Sequence, residues 1–137
     1  MGTHQNGPML HHIIRRVFRI PFLPALTWAV CIFWASTAIG VEVPLPPPKW
    51  LEPDKVLHTL AYAGLSFLVM LGWHFRSADR PTPNQLILGL SGCVLYGIAL
   101  EWVQYLYYPG RAFEYLDMLA NAVGVLLGWI AYFFIIK

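Results

Sequence analysis

The chain has 137 residues, of which 58% are hydrophobic and 12% charged, more apolar surface than a soluble domain of this length can bury in one core. Its net charge of +2 is dispersed, with no basic stripe interleaved with aromatics, which excludes nucleic acid as a partner. Cys31 and Cys93 each lie inside an apolar run, so they offer neither a disulfide framework nor paired zinc spacing and read as small packing residues.

Residues 1–21 form a polar, basic leader containing His11, His12, Arg15, Arg16 and Arg19. The first apolar run, Phe22 to Val41, has the roughly 20 residues a helix needs to span a bilayer. Ser36 and Ala38 are spaced like a signal-peptidase site, and Arg15-Arg16 has the look of a twin-arginine signal. The run is long, aromatic and followed by further spans, so a retained membrane helix is the preferred reading. Residues 42–55 make a proline-rich loop, and Val43-Pro44-Leu45-Pro46-Pro47-Pro48-Lys49-Trp50 reads as a stiff extended strap with Trp50 as an interfacial anchor. Three more runs follow, Val56 to Phe75, Leu86 to Leu106 and Asp117 to Ile136, within a core of residues 54–136. Backbone amides in lipid must be satisfied within their own segment or in a closed barrel. The expected fold is therefore an all-α integral membrane protein, a bundle of four transmembrane helices.

Basic residues in short loops stay on the cytoplasmic side. Arg15, Arg16, Arg19, Arg76, Arg80 and Lys137 lie on one side of such a bundle, while the other side mixes Lys49, Lys55 and Arg111 with Glu42, Glu52, Asp54 and Glu114. This pattern predicts both termini inside. His74 falls at the inner end of the second span, and Tyr105, Tyr107, Tyr108 and Tyr115 crowd the outer boundary as belt anchors.

Ionisable groups in membrane helices are costly unless they pair or face water, and here they share the outer end. Asp54 and His58 are one turn apart on the second helix, beside Lys55. Glu101 and Gln104 are one turn apart near the end of the third, and Asp117 and Asn121 open the fourth. Pro109-Gly110-Arg111 reads as a tight turn bringing a planar cation to the same end. Beneath this tier Gly97 lies one turn from Glu101, and Gly124 and Gly128 form a small-xxx-small pair for close helix packing within the chain or between copies in a homo-oligomer.

The run Asp54-Lys55-Val56-Leu57-His58-Thr59-Leu60-Ala61-Tyr62-Ala63-Gly64-Leu65 resembles the opening signature of the VanZ-like family of bacterial membrane proteins. Glu101 and Gln104 match its Glu-x-x-Gln pair, Pro109 to Arg111 its Pro-Gly-Arg, and Asp117, Asn121 and Gly124 its Asp-x-x-x-Asn-x-x-Gly. The resemblance covers about Asp54 to Gly128; the first helix and the proline loop carry no comparable signature. It implies a multi-pass protein of the bacterial cytoplasmic membrane. The family's namesake is associated with low-level teicoplanin resistance, a phenotype that resemblance does not transfer to this chain.

The preferred functional expectation is an outer-leaflet site for the headgroup of an envelope lipid or lipid-linked glycan. Arg111, Lys55 and His58 would meet phosphate or carboxylate, with Glu101, Gln104, Asp117 and Asn121 on sugar hydroxyls and Asp54 beside His58. One rival is a lipid hydrolase with His58 and Glu101 as its acid and base; another makes the polar groups interhelical glue alone. No serine or cysteine nucleophile motif and no P-loop accompanies them, and transport lacks an internal repeat or broken helix. No cofactor is expected. No metal is expected either, because Asp54-x-x-x-His58 is too short a ligand set and the arginine and lysine compete for the carboxylates.

Overall fold

The computed structural model describes residues 16–38, 53–107 and 115–136. These residues hold four α-helices and no strand: α1 (Leu23–Ala38), α2 (Pro53–Ser77), α3 (Pro83–Tyr107) and α4 (Tyr115–Ile135). The helical membrane bundle read from the sequence is the observed architecture. α2, α3 and α4 are each long and apolar enough to cross a membrane. α1 is described over only 16 residues, about 24 Å at ~1.5 Å per residue, and residues 39–41 of the expected first span lie outside the described residues. The leader before Arg16, the proline loop and Lys137 lie outside them as well.

Helix ends follow local chemistry and shift the expected boundaries by a few residues. α2 begins at Pro53, where a missing N–H costs nothing, and carries Asp54 in its first turn. α3 begins with a reciprocal capping box: Thr82 N–H donates to Gln85 Oε1 at 2.9 Å and Gln85 N–H donates to Thr82 Oγ1 at 3.4 Å. Between them Ala78, just after the end of α2, lies in the left-handed region with φ 55°, a conformation that suits glycine at a helix C-terminus.

Antiparallel connections make α2 and α4 run in the same direction, and they form by far the closest helix pair. A Cβ at Gly124 would run into the carbonyl oxygen of Thr59, and one at Gly128 into that of Ala63. Only glycine lets the two backbones touch at both points. α3 packs across this pair through Gly89, Cys93 and Gly97, all buried. α1 packs on this bundle through buried Ala25 and Ile32 and is also tied by hydrogen bonds: Trp28 Nε1 donates to Ala61 O at 2.8 Å, Tyr96 OH to Ala29 O at 2.6 Å, and Gln104 Nε2 to Ser36 O at 2.8 Å.

Two core clusters result. Tyr62, Leu65, Cys93, Leu100, Val125 and Ile32 fill the half of the bundle nearer the starts of α2 and α4. Phe18, Met70, Leu71 and Tyr132 fill the other half, where the Phe18 and Phe75 rings stack at 4.6 Å. Most of the large apolar side chains point outward, among them Leu26, Trp34, Leu57, Leu60, Leu95 and Phe134. Such a surface suits a hydrocarbon solvent and would aggregate in water.

Candidate functional site

The Gly124 and Gly128 contacts set the register of α2 against α4 and thereby bring their first turns together. His58 Nδ1 lies 3.0 Å from Asn121 Oδ1. An amide oxygen only accepts, so Nδ1 carries the proton and Nε2 faces the other way, towards Asp54 Oδ1 at 3.6 Å. Lys55 Nζ sits 3.8 Å from Asp117 Oδ1. Thr59 Oγ1 lies 2.8 Å from Lys55 O in its own helix and 3.3 Å from Ala120 O across the interface, so its single proton ties the two helices just beneath the charged residues.

Burial grades sharply across this tier. Asn121 is 3% exposed and Asp117 6%, whereas more than half of the Asp54 side chain is open to solvent and a quarter of that of Lys55. The site is thus a ledge with a buried back wall on α4 and an open rim on α2. Asp54, His58 and Asp117 each bring one ligand-type atom to it, all within 4.8 Å of one another.

Glu101 and Gln104, on α3, are both buried and continue the stripe of Gly89, Cys93 and Gly97 towards this end. Gly97 marks where α3 meets the ledge: a Cβ there would lie 3.0 Å from Asn121 Nδ2 and 3.1 Å from the Tyr62 ring. Gln104 serves as an interhelical link: its amide donates to the Ser36 carbonyl and ties α3 to α1. Arg111, with Pro109 and Gly110, lies outside the described residues.

Three participants escaped the sequence reading. Thr59 sits inside the signature run, and its position one turn after Lys55 was the available signal. Tyr62 is 1% exposed, and its ring lies against Gly97. Ser36 contributes only a backbone carbonyl, which no side-chain pattern reveals. At the opposite end His74 is half-buried, and its Nδ1 lies 3.3 Å from the Tyr132 hydroxyl. Cys31 is exposed, Cys93 is buried in the core, and both are free thiols.

With imidazole, ammonium, carboxylate and amide groups on one ledge, the site can hydrogen-bond and pair with an anionic or hydroxylated ligand. A family model described as VanZ/LLP1 matches residues 22–136. The chain belongs to the VanZ-like family. The match includes the first helix and the proline loop, so the VanZ-like unit is larger than the Asp54 to Gly128 stretch whose motifs are visible by eye. In this VanZ-like protein the Asp-x-x-x-Asn-x-x-Gly motif acquires a physical meaning. Asp117 and Asn121 build the ledge, and Gly124 brings α4 close enough to α2 for them to reach Lys55 and His58. No curated protein and no solved structure matches the chain.

Proposed function

We propose that this ledge binds the headgroup of an envelope lipid or lipid-linked glycan at the outer leaflet of a bacterial cytoplasmic membrane, in a chain whose termini both face the cytoplasm. The observation that carries the reading is the convergence of Lys55, His58, Asp117 and Asn121 across α2 and α4 at one end of an otherwise apolar bundle. Interhelical hydrogen bonds in membrane proteins average only about 0.6 kcal/mol. Glue would gain little from two carboxylates placed beside an ammonium and an imidazole, and a rim left half open serves a ligand better than it serves a joint.

Lys55 and Arg111 supply the cations for a phosphate or carboxylate, and the acids and Asn121 supply acceptors and donors for sugar hydroxyls. Exposed Val56, Leu57 and Leu60 on α2 and Leu116 and Leu119 on α4 continue from the ledge as apolar walls for the attached tail. The orientation rests on Arg16, Arg19, Arg76 and Arg80 at the opposite end, with Arg15 preceding them in sequence.

Native mass spectrometry of gently extracted protein tests this, comparing wild type with Arg111→Ala and Glu101→Gln after each is shown to fold. Selective retention of one lipid class by wild type, lost in both variants, is the expected result. Equal retention of all lipids by the three proteins refutes it. Thiol labelling of single cysteines placed at residues 49 and 79 checks the orientation: only the first should react from outside intact cells.

A further inference from the structure

We infer that Asp54, His58 and Asp117 form a binding site for a single divalent first-row transition-metal ion, of which Zn2+ and Mn2+ are the natural probes. The geometry starts from His58. With Nδ1–H directed to Asn121 Oδ1 at 3.0 Å, the Nε2 lone pair points at an Asp54 carboxylate oxygen 3.6 Å away. Two acceptors facing each other need a cation between them, either a second proton on the imidazole or a metal ion.

The third residue decides between these. Asp117 approaches from α4, so that each of the three residues brings a ligand-type atom within 4.8 Å of the other two. An ion bonded at about 2.0–2.2 Å to two oxygens and an imidazole nitrogen holds neighbouring donors roughly 3–3.5 Å apart. The observed spacing needs only a small closure of side chains, and Asp54, on the exposed rim, is free to move. A proton would satisfy Asp54 alone. A metal engages both carboxylates and the imidazole together.

The surroundings have the form expected of a metal site. Asn121 fixes the tautomer and plane of the ligating imidazole, the task that outer-shell hydrogen bonds perform around metal ligands. The buried wall supplies Asp117, the open rim supplies Asp54, and the solvent side leaves coordination positions for water or a ligand oxygen. Among the described residues Lys55 competes for the Asp117 carboxylate. Its Nζ lies 3.8 Å from Asp117 Oδ1, longer than the roughly 2.7–2.9 Å of a tight charge-assisted hydrogen bond, and its flexible stem lets the ammonium turn to the rim once a metal takes the carboxylate. Two carboxylates, one ammonium and a neutral imidazole sum to −1, which a divalent ion turns to +1. That reversal would strengthen the ledge for anions. This consequence rests on the headgroup reading, but binding of the ion does not.

The test uses the full chain in lipid nanodiscs, stripped with chelator, with His4, His11 and His12 of the leader replaced by alanine so that they do not contribute. Titration with ZnCl2 and MnCl2 by calorimetry, and with Co2+ by its visible ligand-field absorption, should give one equivalent per chain. Asp54→Asn, whose exposed position spares the fold, should weaken binding at least tenfold. His58→Gln should abolish the Co2+ band, and Asn121→Ala, acting only through His58, should weaken binding about 10–100-fold. His74→Ala should change nothing. Absence of saturable binding in the folded parent, or binding unaltered by Asp54→Asn and His58→Gln, overturns the inference. A histidine NMR signal reporting a doubly protonated His58 in the metal-loaded sample overturns it too. Metal binding without selective lipid retention would leave this site standing and remove the headgroup reading.

Discussion

Replacing Gly128 with alanine puts a methyl group into the backbone of the neighbouring helix, because the Ala63 carbonyl oxygen occupies the position a Cβ would take. A carbon needs about 3.3–3.6 Å from such an oxygen, so α2 and α4 must part by about 1 Å. Overpacking of this kind costs typically 1–3 kcal/mol, and here the clash is with backbone, which cannot choose another rotamer. A 1 Å separation also takes the 3.0 Å His58–Asn121 contact beyond hydrogen-bonding reach, adding about 0.6 kcal/mol. Gly124→Ala meets Thr59 O in the same way, and the displacement that relieves one clash relieves the other. The double variant should therefore lose less than the sum of the singles. Gly92→Ala is the control: nothing lies within 4 Å of a Cβ at that position, and alanine's helix propensity should make it neutral or more stable by up to about 1 kcal/mol. Reversible unfolding in mixed detergent micelles, followed by tryptophan fluorescence, measures all four variants. A Gly128→Ala protein as stable as wild type, or a Gly92→Ala protein destabilised equally, would refute the close-packing argument.

Ser66 is fully buried, and its hydroxyl has no hydrogen-bond partner among the described residues. Ser66→Ala should thus be neutral or stabilising by up to about 1 kcal/mol in the same unfolding assay. Ala78→Gly relieves a left-handed residue at the end of α2 and should raise stability by about 0.5–1 kcal/mol; a loss would show that the alanine methyl packs usefully. Gly97→Ala presses on Asn121 and Tyr62 and should disturb the ledge more than the fold, lowering lipid retention in native mass spectrometry while costing about 1–3 kcal/mol. Gln104→Ala and Tyr96→Phe each remove one attachment of α1. Hydrogen exchange should then accelerate in residues 23–38 and not in α4.

Length and hydropathy were enough to read four helices and to place Asp54, His58, Glu101, Asp117 and Asn121 at one end, because lipid removes most alternatives to a helix. The small-xxx-small spacing likewise announced that α4 would pack closely. It did not say against what, and the pairing with Thr59 and Ala63 required coordinates. Gln104 shows the limit most clearly. An amide on the polar face reads equally well as ligand group or as link, and its distance to the Ser36 carbonyl decides that it is engaged as a link. That Asp54, His58 and Asp117 share one end was legible too, but their approach to within 4.8 Å of one another depends on the register of α2 against α4, which no spacing within one helix reveals. The capping box of Thr82 and Gln85, by contrast, was present in the sequence as a spacing and was overlooked.

The way α1 is held bears on the order in which the protein assembles itself. Its threonine hydroxyls bond within the helix, Thr27 to Leu23 O and Thr37 to Phe33 O, and side chains of α3 donate two of its links to the other described helices. Synthesised before the other three helices, α1 can rest in lipid with both threonine hydroxyls bonded to its own backbone. The ledge has the opposite property. Lys55 and His58 must wait beside open water until α4, synthesised after them, delivers Asp117 and Asn121, and the two glycines then lock the pair. A chain truncated before α4 would keep its anchor and lose its site.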